Sequence, residues 1–378
     1  KVYATTRWWC ERYNLFIFAI GMLVTYWLLK DRIDRSLLRR FFLVLIAASM
    51  FAVHTTTYYG EVFTAVCVGF GILALLIRFS VPAGWVAIIL GVANTPASIV
   101  GLGLVILKYI LDSKRFRYVL IGGAAIAVIG IEAWIRRGSP LTTGYADNAG
   151  YRTIMPYSGL PGFSYPFFFG MLSILLSFGK GLIFFAPGLL LPVRKILLKM
   201  QQEKKLEVYR VYVLWMCFLL GLILVYARWW AWYGGMFWGP RFFLFASIPA
   251  SFALAVRLRH HKEGSLAINL LTLLAFALST WVGIDGALYG ERVVQLSACI
   301  ANNYALEALC HYTPEFSVLW QPFVVHYSLS LSQKLYAFYC ACVFLYLAFP
   351  LIVRTAQQVI ELVRPFLSAN LDLKLWRF

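Results

Sequence analysis

Charge is scarce in this chain. Only 13% of its 378 residues are Asp, Glu, Lys or Arg, about half the share a water-soluble domain carries. That shortage excludes a soluble globule, and the abundance of apolar residues excludes a disordered chain. Acidic groups are scarcer still, 16 against 34 basic ones, so paired-carboxylate sites have few residues to draw on. Seven cysteines show no metal-ligand spacing, which argues against a zinc module. No internal repeat, low-complexity tract or soluble domain stands out. Apolar and polar residues do not alternate, which excludes a membrane barrel. Nor does Lys1–Asn14 carry a small-residue cleavage site of the signal-peptide kind.

Apolar residues fill the space that charge leaves, at 61% of the chain with a mean hydropathy of +0.76. Runs approaching the ~20 residues that cross a bilayer recur at Leu15–Leu29, Phe41–Val53, Val62–Ile77, Tyr118–Ile135, Val211–Ala227, Phe242–Val256, Leu266–Ile284 and Leu335–Val353. Backbone polar groups in lipid must be satisfied within the segment, so the runs read as helices. The expected fold class is all-α, a polytopic transmembrane helical bundle of about nine to eleven membrane segments. A transmembrane part, 1–353, is followed by a tail, 354–378. Its apolar Ala356, Val359, Ile360 and Val363 predict an interfacial amphipathic helix ending near Pro365.

The net charge of +18 does not point to nucleic acid. Basic residues sit in short clusters between runs, at Lys30–Arg40, Lys114–Arg117, Arg194–Arg210 and Arg257–Lys262, and membrane lipids are the expected partners. Placing these loops together puts most Lys and Arg on one side, which the positive-inside rule makes cytoplasmic. Within Ala83–Leu111 the triplet Asn94-Thr95-Pro96 interrupts an apolar stretch. Two half-helices that meet near Asn94 are expected there, with one long kinked helix as the alternative. Glu132 and Arg136 have the spacing of an i,i+4 pair.

The connection from Arg228 to Phe243 reads Arg-Trp-Trp-Ala-Trp-Tyr-Gly-Gly-Met-Phe-Trp-Gly-Pro-Arg-Phe-Phe. Trp232, Tyr233 and Trp238 suit the headgroup level. Three glycines free the backbone for tight turns. Arg241 follows Pro240 at the start of a helix, where free N–H groups make a seat for phosphate. An aromatic belt with a snorkelling arginine is the bland reading of the same residues. Lys180, between Gly179 and Gly181, is costly in an apolar run unless it reaches water or an anion. Together with Arg228, these two cations suggest a phosphate clamp at the outer boundary. Cys67, Cys217, Cys340 and Cys342 read as packing residues. Cys299 and Cys310 share an outer segment, 285–332, and are a disulfide candidate, with two free thiols as the alternative.

Three stretches together resemble a known group: Pro140…Thr143-Gly144-Tyr145, Ser177-Phe178-Gly179-Lys180-Gly181-Leu182, and Trp232-Tyr233-Gly234-Gly235…Trp238-Gly239-Pro240-Arg241-Phe242. The chain is similar to the bacterial integral-membrane glycosyltransferases of the GT-C superfamily, relatives of protein mannosyltransferases and lipid A aminoarabinose transferases. Thr57–Glu61 and Gly91–Pro96 also resemble family positions, so the likeness covers most of Phe41 to Pro249. It implies an inner-membrane transferase that takes a sugar from a polyprenyl-phosphate-linked donor at the external face, with inversion. Lys180, Arg241 and Arg228 would hold the lipid phosphate, and Trp232, Tyr233, Trp238 and Tyr145 would line the substrate loop. Some relatives use a divalent cation, which stays open here as a cofactor.

The group's usual catalytic aspartate, in the first external loop, has no counterpart. The expectation is therefore threefold: a missing N-terminal piece, a separate polypeptide that supplies it, or a non-catalytic subunit with a structural role in a membrane complex. Glu61 and Asp147 are the substitute bases, against a helix-capping role for Glu61 and a solvated loop position for Asp147. A transporter with broken helices is a third class, but it predicts an internal two-fold repeat.

Overall fold

Lipid admits helices or closed barrels, and all the regular backbone described here is helical. The computed structural model describes residues 2–76, 81–142, 158–160, 162–204, 207–235, 237–290, 299, 305–324, 326 and 328–375, and no strand occurs among them. In chain order the helices are α1 (Val2–Leu29), α2 (Arg35–Ala47), α3 (Phe51–His54), α4 (Gly60–Leu76), α5 (Val81–Asn94), α6 (Ile99–Ser113), α7 (Val119–Arg137) and α8 (Phe167–Leu176). They continue as α9 (Leu182–Phe185), α10 (Arg194–Lys204), α11 (Val208–Tyr226), α12 (Ser247–Arg259), α13 (Leu266–Tyr289), α14 (Glu307–Tyr312) and α15 (Leu331–Leu375). Among the described residues, seven helical stretches are long and apolar enough to cross a membrane, and α4, α5 and α8 are shorter apolar helices. The protein is an all-α, multi-pass membrane bundle.

Burial sorts the helices into a centre and a lipid-facing shell. The stretch Arg241–Arg259, comprising a 3-10 turn and α12, has 89% of its apolar window buried, whereas the stretch containing α7 has 17%. α7 turns Leu120, Ile126, Trp134 and Ile135 outward, as a helix solvated by acyl chains does. Small residues let the inner helices approach closely. A Cβ on Gly221 of α11 would run into the backbone of Gly101 on α6, and one on Gly69 of α4 would strike Ile248 of α12. Trp215 of α11 donates its indole N–H to Gly69 O at 3.0 Å.

The break at Asn94-Thr95-Pro96 gives two helices, α5 and α6, separated by a 3-10 turn. Pro96 opens that turn because it has no N–H to contribute to a continuing helix. Asn94 Nδ2 donates to Gly60 O at 2.7 Å, and Thr64 donates its hydroxyl to Gly91 O at 2.8 Å. The junction between α5 and α6 is thus fastened to the start of α4. The Glu132–Arg136 pair is present at 2.6 Å on α7.

Three boundaries differ from those expected. Residues 2–14 belong to α1, which begins well before the apolar run at Leu15. Asn14 lies inside that helix, fully buried, and its amide donates to the carbonyls of Thr57 at 2.6 Å and Tyr59 at 3.0 Å. α13 runs five residues past Ile284, so Asp285 is interior rather than terminal. The helix after Arg354 is one body with the last span, since α15 extends unbroken to Leu375. Gln358 anchors it by donating to Gly264 O at 2.8 Å and accepting from Asn269 at 2.9 Å. An apolar stripe at helical spacing does not distinguish a continuing helix from one lying in the interface.

Gly221→Leu should separate α6 from α11 and destabilise the bundle by roughly 1–3 kcal/mol, the usual cost of overpacking. Thermal unfolding in detergent reads this, and an unshifted midpoint would mean the two backbones are not in contact.

Candidate functional site

Between α11 and α12 the chain makes a chain of tight turns. Gly234, Gly235 and Gly239 take positive φ of 78°, 82° and 64°, the left-handed region that a side chain resists. These turns aim three carbonyls at one point. The Lys180 ammonium donates to Gly235 O at 3.3 Å, to Gly239 O at 2.8 Å and, closer, to Phe237 O. An ammonium has three protons, and here each has an acceptor. Lys180 is 4% exposed. It therefore organises the loop from within and does not offer itself to a phosphate, which departs from the clamp role expected of it.

Lys180 is held in turn by residues 310–317. Gly179 N–H donates to His311 O at 3.0 Å, Ser317 Oγ donates to Phe178 O at 2.8 Å, and Ser173 Oγ meets the Tyr312 hydroxyl at 2.9 Å. No Cβ fits at Gly179 because Cys310 O occupies that space. Cys310 is joined to Cys299 by a disulfide, so the covalent link lies directly behind the lysine.

Arg241 approaches the loop from the other side. Its Nε donates to Gly234 O at 2.7 Å and lies 3.7 Å from Glu61 Oε1. Its guanidinium sits 4.5 Å from the centre of the Phe237 ring, 5.2 Å from Phe242 and 5.6 Å from Tyr59. With a side chain 24% exposed, it is the more accessible of the two cations. Glu61 occupies the first turn of α4, which Asn94 fastens. Its capping position and its contact with Arg241 are compatible, since both follow from the same helix start.

The remaining site residues divide in two. Trp232 and Tyr233 are buried against His311, with ring centroids at 5.5 and 4.3 Å. Trp238 is buried on the opposite flank, donating to Asp285 Oδ2 at 2.8 Å and standing edge-on to Phe185 and His54. These rings form packed walls rather than a belt at the membrane surface. Arg228 is not brought to the other two cations. It lies exposed at the end of α11, where Nη2 donates to Phe163 O at 3.3 Å. Tyr145 and Asp147 lie outside the described residues.

Two buried groups complete the neighbourhood and did not figure among the expected site residues. His311 Nε2 stands 3.7 Å from Glu307 Oε1, both essentially without exposure. Their i,i+4 spacing is readable from the sequence, but nothing in it says that α14 folds inward. Asp285 is the other, and its signal was an acid next to an apolar run. Burial lowers the His311 pKa, opposed by Glu307 and assisted by the Lys180 charge. Burial likewise pushes His54 down to about 4, opposed by its bond with Met50 O and assisted by Arg241 and Lys180. Both imidazoles are neutral at pH 7, and burial together with the Arg241 charge lowers the Lys180 pKa to about 7, so the fixed positive charge resides on Arg241. Among the described residues no group of three or more His, Cys, Asp or Glu could hold a metal ion.

Comparison with protein-family models, with curated proteins and with solved structures finds no match to any of them.

Lys180→Met leaves three carbonyls without their donor and should destabilise the protein by about 2–4 kcal/mol, from roughly 1–3 kcal/mol per orphaned buried group with partial relaxation. Proteolysis of the 228–240 loop should accelerate in the same variant, and unchanged cleavage would separate lysine from loop order. Acid should also act through His54. Its folded pKa is depressed, so the unfolded chain binds the extra proton below pH 6.5 and stability falls from there towards pH 4. The loss is about 3 kcal/mol, from 1.36 kcal/mol per pKa unit, and His54→Gln should flatten that part of the unfolding-against-pH curve.

Proposed function

We propose that this protein is a membrane glycosyltransferase of the GT-C type, moving a sugar from a polyprenyl-phosphate-linked donor to an acceptor hydroxyl at the aromatic-loop face. The observation that carries this reading is Arg241: a guanidinium at the head of the most buried span, walled by rings, partly accessible and 3.7 Å from the Glu61 carboxylate. In this reading the isoprenoid tail lies in the bilayer and its phosphate takes the outward edge of Arg241. The acceptor oxygen bonds to the anomeric carbon as the carbon–oxygen bond to the phosphate breaks. Polyprenyl phosphate departs with the negative charge that Arg241 stabilises, and the hydroxyl proton goes to Glu61 as general base. Phosphate binding frees that base by competing for its cation. The sequence resemblance supports the same assignment, as does the clustering of basic residues in the loops of the opposite side, which favours a cytoplasmic position there by the positive-inside rule.

Lys180 and Glu61 also favour a second reading, a non-catalytic membrane subunit of the same architecture. The ammonium is spent on the loop, and the carboxylate is already neutralised. Release of polyprenyl phosphate from a labelled lipid-linked sugar, in membranes containing the full chain, distinguishes the two. For the transferase, Arg241→Ala should lower release by about 10²–10³-fold and Glu61→Gln by about 10²–10⁴-fold, with the folded fraction retained. Activity unchanged in both variants would overturn the site assignment. No release by the unaltered chain, together with its co-purification in a larger assembly, would favour the subunit.

A further inference from the structure

A second concavity lies towards the other end of the bundle, independent of the loop site. It is a cavity of about 520 Å³ between α11 and the segment joining α9 to α10. One wall is a stripe on α11 running from Tyr209 through Val213 and Met216 to Leu220. Those positions recur every three to four residues on one face, and over eleven residues at 1.5 Å each they span about 17 Å. The facing wall is the extended run Leu191-Pro192-Val193. Open backbone at membrane depth needs its polar groups satisfied. Here Leu191 N–H donates to Gly188 O at 3.2 Å, and Pro192 has no N–H to satisfy. The groove is therefore an open, mostly apolar slot, elongated along α11 and so shaped for a chain rather than a ring system.

One end of the slot carries charge. Arg194 lines it there, at the start of α10 and beside Tyr209 at the start of α11. Some of the other cations at this basic end of the bundle are engaged by carboxylates. Arg210 bonds to Asp112 and Glu207, Lys199 to Glu263, and Arg259 to Asp34. Arg194 is exposed and has no acidic partner among the described residues. An apolar slot ending at an unneutralised guanidinium matches a molecule with a long hydrocarbon tail and an anionic head. The membrane supplies that chemistry.

We propose that this groove binds one anionic phospholipid of the leaflet on the basic-loop side, with an acyl chain along the α11 stripe and its phosphate on Arg194. The test is native mass spectrometry of the full chain in detergent, titrated with phosphatidylglycerol or phosphatidylcholine. The unaltered protein should retain one phosphatidylglycerol in preference to phosphatidylcholine. Arg194→Ala should weaken phosphatidylglycerol retention about fivefold, the scale of one basic residue at an anionic surface, and leave phosphatidylcholine unchanged. Arg194→Lys should keep most of the preference. Val213→Trp fills the slot and should reduce retention of both lipids, with an unfolding midpoint confirming that the protein is intact. Equal retention by Arg194→Ala and the unaltered chain, or no preference between the two lipids, would overturn the proposal.

Discussion

The aromatic-loop end of this molecule depends on a single buried amine with three carbonyl neighbours. Glycine-rich turns have no intrinsic preference for one shape, and a run of tryptophans next to lipid has several ways to bury itself. Lys180 removes that freedom by requiring the carbonyls of residues 235, 237 and 239 to converge on one point. A buried charge tolerates no vacant donor, so the loop's conformation and the lysine's burial enforce each other. Arg241 closes the arrangement through Gly234 O on the far side.

Around that contact the polar residues form a connected series. Asn14 fixes the turn before α4, Asn94 fixes the first turn of α4, and Glu61 in that turn faces Arg241. On the other flank, His311 O holds Gly179, and the Trp238–Asp285 bond ties the loop to α13. Each bond joins elements far apart in the chain. The site is therefore assembled from α1, α4, α5, α11, α12, α13 and the 307–317 segment together, on a backbone whose central span is almost wholly enclosed.

Much of the framework was legible from pattern alone. Apolar runs located the spans, Asn94-Thr95-Pro96 marked a real break because proline cannot continue a helix, and glycines at 234, 235 and 239 marked turns. Lys180 was recognised as costly, but its solution was misjudged. An anion and a set of carbonyls satisfy an ammonium equally well, and nothing local distinguishes them. Arg228 illustrates the converse: it is close to Arg241 in the loop's sequence but ends on a different edge. Asp285 and the Glu307–His311 pair were hidden for a further reason. Whether an external residue turns inward is decided by what packs on it, and their partners lie dozens of residues away. The extent of α15 was misread because a stripe of apolar residues looks the same whether its other side meets protein or headgroups.

The clasp formed by residues 307–317 carries an implication for how the molecule is made. The lysine segment at 177–181 leaves the ribosome well before its support, more than a hundred residues ahead of the bridge at Cys310. Until the later stretch has been made and its thiols joined, the earlier helices lack the clasp that fixes the lysine's segment. Completion of the site is thus a late event, and a chain halted before residue 317 would lack groups that hold the lysine's segment.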